Sequence, residues 1–401
     1  MRNLHLGEGR TRHLVWMGAA ALAIGACAVG ACGASDEGNF LGSGGAGGGG
    51  GGGVFGGAGG DVIAGGAGGS GGVPQEHEVE STYTAPVATG KYVWIANPTS
   101  GRVAYIDAST LQIKLVDAGD APTYVAAVPD PTDDVAIVLN VLSLDATVLR
   151  ASSSGISATM VGVPSSGNTW AVSSDGHWAI AWTDAQQIMS PDPVNGYQDI
   201  TVLDLTQGAE TSNDLSVGYR PVAVAFDQAN QHAFAVSQDG VTVISLAGSA
   251  PEVVKNIGVG DDPTMPSTTR DVSITPDGSY ALVRRDGVSE ISVFALSDGT
   301  RTDVPLPGEP TDLTLSADGS TAVAVVRSTS QIALMPVPAI VADPTMVTLV
   351  TADTTVGSVV LASASTVGFF FTNATPSDVL VTMDTAGSPP TPADILLRAP
   401  I

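Results

Sequence analysis

Three observations predict an all-β domain of repeating four-stranded units: a β-propeller of seven blades behind a disordered glycine-rich tether. First, from about Lys91 onward the chain is made of short Val, Ile, Ala and Leu runs broken by Asp-Gly, Ser-Gly and Pro turns, and no segment keeps a helical period for three turns. Second, prolines in matching contexts fall at Pro122, Pro164, Pro221, Pro263 and Pro310, at intervals of 42, 57, 42 and 47 residues. Third, one strand type recurs seven times, as "VAYID" at 103, "ATVLR" at 146, "ITVLDL" at 200, "VTVISL" at 241, "ISVFAL" at 291, "IALMPV" at 332 and "VLVTMD" at 379. Four strands in about 45 residues is the size of one blade, and radial repetition of blades leaves only short sheet edges in water.

The first 32 residues lie outside this pattern. Arg2, Arg10 and Arg12 precede the apolar stretch "LVWMGAAALAIGACAVGA", which is rich in small residues and ends at a cysteine, as in a secretion signal. "IGAC" ending at Cys27 and "VGAC" ending at Cys32 both resemble the lipobox of bacterial lipoproteins, in which the cysteine is cleaved and lipidated. Cys32 is the preferred site because the polar run "GASDE" follows at once, and cleavage at Cys27 would leave Cys32 as an unpaired thiol in an oxidising compartment. An ordinary secretion signal, or an uncleaved helix with two incidental cysteines, is the alternative. No cysteine follows Cys32, so the domain has neither a disulfide nor a thiolate metal site.

Residues 33–78 form a linker. Between Gly42 and Gly72 glycine so dominates that no core can offset the entropy of ordering it, and such a coil spans on the order of 30 Å. "GGSGG" at 68 to 72 matches the serine-hydrolase pattern Gly-x-Ser-x-Gly only because nearly every residue there is glycine. The strand-to-helix turn that the mechanism requires is missing.

Within residues 79–401 three repeats open on a Gly-acid-Pro-Thr segment: "GDAPT" at 119, "GDDPT" at 260 and "GEPT" at 308. An apolar strand follows, then a turn such as "SSDG", "TPDG" or "SADG", then a second apolar strand. The segment is expected to connect the outer strand of one blade to the inner strand of the next. Gly119, Gly260 and Gly308 would allow positive φ, while the prolines would fix φ at the start of the new strand. The innermost strand of the first blade has to come from upstream, with "STYTAPVA" at 81 to 88 as its source.

The stretch "KYVWIANPTSGRVAYIDASTLQIKLVDAGDAPTYVAAVPD" resembles the YVTN repeat of bacterial β-propellers. In that repeat a Tyr-Val strand ends at Asn, an Ile-Asp strand follows, and a Gly-x-x-Pro turn leads to a strand ending in Pro-Asp-Gly. The resemblance is good for Tyr92 to Asp130 and looser up to about Met383. It implies a propeller, and some seven-bladed relatives are lactonases.

Loops that enter innermost strands and loops that leave second strands share one face of a propeller. Asp120, Asp261, Asp262, Glu309 and Arg220 would therefore share a rim with Asn97, Asn140, Arg284, Arg285, Arg327 and Asn373, and rim loops on a rigid scaffold are where binding usually resides. "VRRDG" at 283 is the only doublet of bases in the domain and is a candidate clamp for an anion; an ordinary solvated pair balanced by Asp286 is the bland alternative. Ca²⁺ is a further candidate for the acidic loops, but no Asp-x-Asp-x-Asp-Gly spacing supports it and no other cofactor is expected.

Catalytic constellations are scarce. His77 lies beside the tether, and His177 and His232 occupy equivalent positions in different blades, too far apart for a ligand pair or a triad. Trp178 and Trp182 alternate on one strand and are expected to pack between blades. Acids outnumber bases 40 to 15. Without the leader the count is 39 to 12, a surface that repels nucleic acid and anionic lipid. The expectation is a secreted, lipid-anchored monomer that binds an envelope protein or a small ligand and meets membrane only through its anchor. A hydrolase or lactonase working with rim carboxylates, with or without a divalent cation, is the rival.

Overall fold

The computed structural model describes residues 84–398, apart from 131, 153–154, 260–269 and 363–364. Cys27, Cys32, the tether, His77, Gly260, Asp261, Asp262 and Pro263 lie outside the described residues. The domain is a seven-bladed β-propeller: seven sheets, each of four antiparallel strands that follow one another in sequence. The blades occupy residues 87–117, 122–162, 169–216, 221–258, 270–305, 312–351 and 358–396. The innermost strand of blade 1 is Val87–Ala88, paired with Val93 and Trp94, so the upstream segment supplies it as the sequence required.

The recurring turns explain themselves residue by residue. In "SADG" the carboxylate of Asp318 accepts the Ser320 amide at 3.0 Å and the Ser316 hydroxyl at 2.7 Å, and Gly319 takes a φ of +73° that closes the hairpin. "SSDG" repeats the arrangement with Asp175. At the blade junctions the glycine has a different cause from the expected one. Neither Gly119 nor Gly308 has positive φ; in two junctions the left-handed residue is the one before proline, Ala121 at +54° and Arg220 at +49°.

What Gly119 provides is room. A Cβ there would sit 2.5 Å from Asp145 Oδ1, 2.6 Å from Ser143 Oγ and 2.8 Å from Asn140 Nδ2, polar atoms on the next blade's second-to-third-strand loop. Gly308 likewise abuts Ser328 Oγ, at 2.7 Å. Overfilling a tight contact costs about 1–3 kcal/mol. Gly119→Ala is therefore expected to lower stability by about that amount in urea denaturation, and an unchanged midpoint would show that the loop yields.

The core is a series of apolar layers between blades. Six clusters among the described residues join successive blades from the first to the seventh. In blades 2 to 6 the second strand is buried on both faces, as in Trp178–Trp182, where every residue is covered. The two end blades differ. In Tyr92–Asn97 only Trp94 and Ala96 are buried, and in Val367–Phe371 only Gly368 and Phe370, so one face of each end blade keeps partly covered apolar side chains. Trp178, Ile180 and Trp182 lie in the layer between blades 3 and 4, which makes the tryptophans packing residues.

Candidate functional site

Among the described residues, three entry loops lie against second-to-third-strand loops. The Asp120 amide donates to Ser143 Oγ at 2.9 Å, the Tyr219 amide to Asp239 Oδ1 at 2.8 Å, and the Gly287 amide to Glu309 Oε1 at 2.6 Å. Asp120 and Glu309 are exposed, Asn97 and Arg220 are half-buried, and Asn140 is buried. Arg220 stacks over the Tyr219 ring at 5.2 Å and donates to the carbonyls of Asp192 at 3.0 Å and Asn195 at 3.3 Å, so its guanidinium holds a loop. Arg327 sits in a short turn after the second strand of blade 6. Its guanidinium lies against Gly357, and its Nε is buried without a hydrogen bond.

Arg284 and Arg285 do not form the exposed clamp expected of a basic doublet. Both end a β-strand, Tyr280–Arg285, in which consecutive side chains point to opposite faces, and both are buried, at 8% and 6% exposure. Arg284 faces the blade 6 junction, where it bonds Asp271 at 2.5 Å, Asp286 at 2.6 Å and the Pro310 carbonyl at 3.3 Å. Arg285 turns the other way, to Glu290 at 2.8 Å, which also pairs with Arg301 at 3.0 Å. Desolvating an arginine is tolerable only with such partners. Burial pulls the Arg284 pKa down, but Asp271 and Asp286 outweigh it and the net shift is upward.

This cluster contains two acids that the turn motifs did not reveal. Asp271 and Asp312 occupy matching places on the innermost strands of blades 5 and 6, in "RDVSI" and "TDLTL". Asp312 accepts the Val359 amide at 2.8 Å and thereby ties blade 6 to blade 7. Its pKa is raised, first by burial and also by the neighbouring Asp271, although Val359 and Arg284 oppose the rise. An acid that departs from the apolar alternation at the same place in two repeats was the available signal.

A second element was legible only as an anomaly in spacing. The interval of 57 residues between Pro164 and Pro221 exceeds the usual 42, and the excess lies in the loop between the strands Trp178–Trp182 and Asp199–Asp204. Loops of this length are uncommon and often functional, and this one carries only a single 3-10 turn, Ala185–Gln187. This one is internally tied. Asp184 accepts the Gln186 amide at 2.9 Å and exchanges two hydrogen bonds with Asn168, the Val194 amide bonds Asp192 Oδ1 at 3.0 Å, and the Asp192 amide bonds Tyr197 Oη at 3.0 Å. Arg220 clamps it from below. Met189 and Val194 stand at its surface, 104% and 87% exposed.

His177 pairs with Asp204 at 3.4 Å and His232 with Asp227 at 2.8 Å, each within its own blade. Among the described residues no group of three or more His, Cys, Asp or Glu side chains gathers as a metal site. Asp261 and Asp262 are outside that statement.

The class that the fold defines is thus the seven-bladed β-propeller. The chain is similar to AztD from Citrobacter koseri, at 13% identity over 79% of this chain and 86% of that one, with a TM-score of 0.46. It is also similar to the dihydro-heme d1 dehydrogenase NirN, at 15% identity over 80% and 67% with a TM-score of 0.45. Hydrazine synthase of Kuenenia stuttgartiensis matches at 16% identity over 82% and 100%, with a TM-score of 0.41. No protein-family model matches the chain, and no curated protein matches it.

Proposed function

We propose that the protein is an exported, lipid-anchored binding module of the cell envelope, a YVTN-type propeller held off the membrane by its glycine tether. The observation that carries the binding role is the blade 3 loop, whose polar groups are occupied internally while Met189 and Val194 face solvent. A rigid loop on a rigid scaffold loses little entropy on contact, which suits recognition. The anchoring role rests on the basic leader, the apolar stretch and "VGAC" at Cys32, with "IGAC" at Cys27 as the second choice. Cys32→Ala is expected to release the protein from membranes on fractionation. Release by Cys27→Ala instead would move the anchor, and retention of both single variants and of the double variant would remove it.

A second reading has one observation in its favour. Asp312, half-buried on an innermost strand in the cluster around Arg284 and Asp271, is a candidate general base in hydrolysis of a lactone or ester. Lactone turnover by the purified chain, abolished in Asp312→Asn with the fold intact, would establish that reading in place of the first.

A further inference from the structure

We propose that the rim over blades 2 and 3 is a docking surface for a polypeptide segment that is apolar at its centre and carries Lys or Arg at its flanks. The inference rests on the binding-module reading and names the face and the partner chemistry. Four large apolar side chains are displayed there: Leu142 and Leu144 on the blade 2 loop, 76% and 46% exposed, and Met189 and Val194 on the blade 3 loop. The roots of the two loops are linked in two steps. Leu144 shares the wall of a small cleft with Ser166 and Gly167, and Asn168, the next residue, exchanges hydrogen bonds with Asp184 at the root of the blade 3 loop.

Several other exposed apolar residues lie on outer-strand edges, among them Ile113, Leu115, Met160, Val254 and Leu349. Partial exposure there follows from the edge position alone. A loop whose backbone could turn any side chain outward has no such reason to present Met and Val, and exposed apolar groups grouped within a polar setting mark contact sites. The charge around them selects the partner. Asp120, Asp192 and Asp199 are exposed on or next to these loops, while two bases of the same rim are engaged, Arg102 with Asp117 and Arg220 with carbonyls. A chain with a net charge of −25 adds a field that repels anionic partners and draws basic ones.

The test uses the full-length chain and two fluorescent 14-residue probes, one of alternating Leu and Lys blocks and the other with Glu in place of Lys, read by anisotropy at physiological salt. The Leu/Lys probe is expected to bind and the Leu/Glu probe to fail. In Leu142→Asp/Met189→Asp/Val194→Asp, affinity for the Leu/Lys probe is expected to fall at least tenfold. Those substitutions add negative charge, so a purely electrostatic association would tighten instead. Equal or tighter binding by the variant overturns this surface and leaves the binding-module reading standing. If wild type binds neither probe, the surface is likewise overturned, and lactone turnover in the same preparation would then overturn the broader reading as well. The substituted side chains are solvent-exposed, and an unchanged melting curve confirms that the variant is folded.

Discussion

Arg150→Ala is expected to cost about 3–5 kcal/mol of stability, the range for leaving a buried charge without its partner. Arg150 lies on the third strand of blade 2 with its side chain 8% exposed. It stands 3.5 Å from Glu210, whose side chain is 4% exposed, and 3.8 Å from Asp130, and it donates to the carbonyl of Leu205. Asp130 belongs with blade 2, and Leu205 and Glu210 with blade 3, so the guanidinium clamps one blade to the next. The alanine variant would strand Glu210 in a nearly dry site. Arg150→Met/Glu210→Gln, which removes both charges and keeps volume, is expected to recover most of the loss. Urea denaturation of the three proteins decides it. A single-variant loss below about 1 kcal/mol would mean that water reaches the pair and the clamp is dispensable.

Arg284→Ala is the second large effect, about 3 kcal/mol at neutral pH, because Asp271 and Asp286 lose their partner while Asp312 loses nearby compensation. Its pH dependence carries the more specific information. Asp312 has a folded pKa above its unfolded value of 3.8, so its ionisation opposes folding, and that opposition disappears as the pH falls through the raised pKa. Without Arg284 the rise should be larger. The deficit relative to wild type is therefore expected to narrow as the pH falls from neutral through the raised pKa of Asp312 and the carboxyl takes up its proton. Asp318 behaves in the opposite sense. The Ser316 hydroxyl and the Ser320 amide hold its pKa down at about 2, so its contribution is complete above 3.8 and lost as the pH falls toward 2, in both proteins. Melting temperatures measured from pH 7 to pH 3 separate these windows. A deficit that is constant down to pH 4 would exclude the coupling to Asp312.

The architecture was legible because a propeller writes the same turns and strands seven times. Asp-Gly turns and valine-rich strands announce themselves locally, and their order in "VSITPDG" or "LTLSADG" is preserved in the structure. What escaped depends on contacts between repeats. Gly119 reads as a turn glycine, yet its constraint is an encounter with Ser143 and Asp145 more than twenty residues away. Arg284 and Arg285 read as one basic patch, but adjacent residues in a strand face different blades and each found its own acids. The blade 3 loop appeared only as a long interval, since nothing in "AQQIMSPDPVNGYQ" states that Arg220 will hold it in place.

Every blade is one unbroken run of chain, including the first, whose inner strand precedes its second strand directly. Synthesis therefore never has to wait. A blade can be completed as soon as its last strand has emerged, and each new one finds an apolar wall already standing on which to condense. Pairing between strands distant in sequence, the slow and aggregation-prone step of many β folds, is not demanded at any stage. The order of translation becomes the order of assembly, and truncation from the C-terminal side should remove whole blades in turn rather than unravel all of them together.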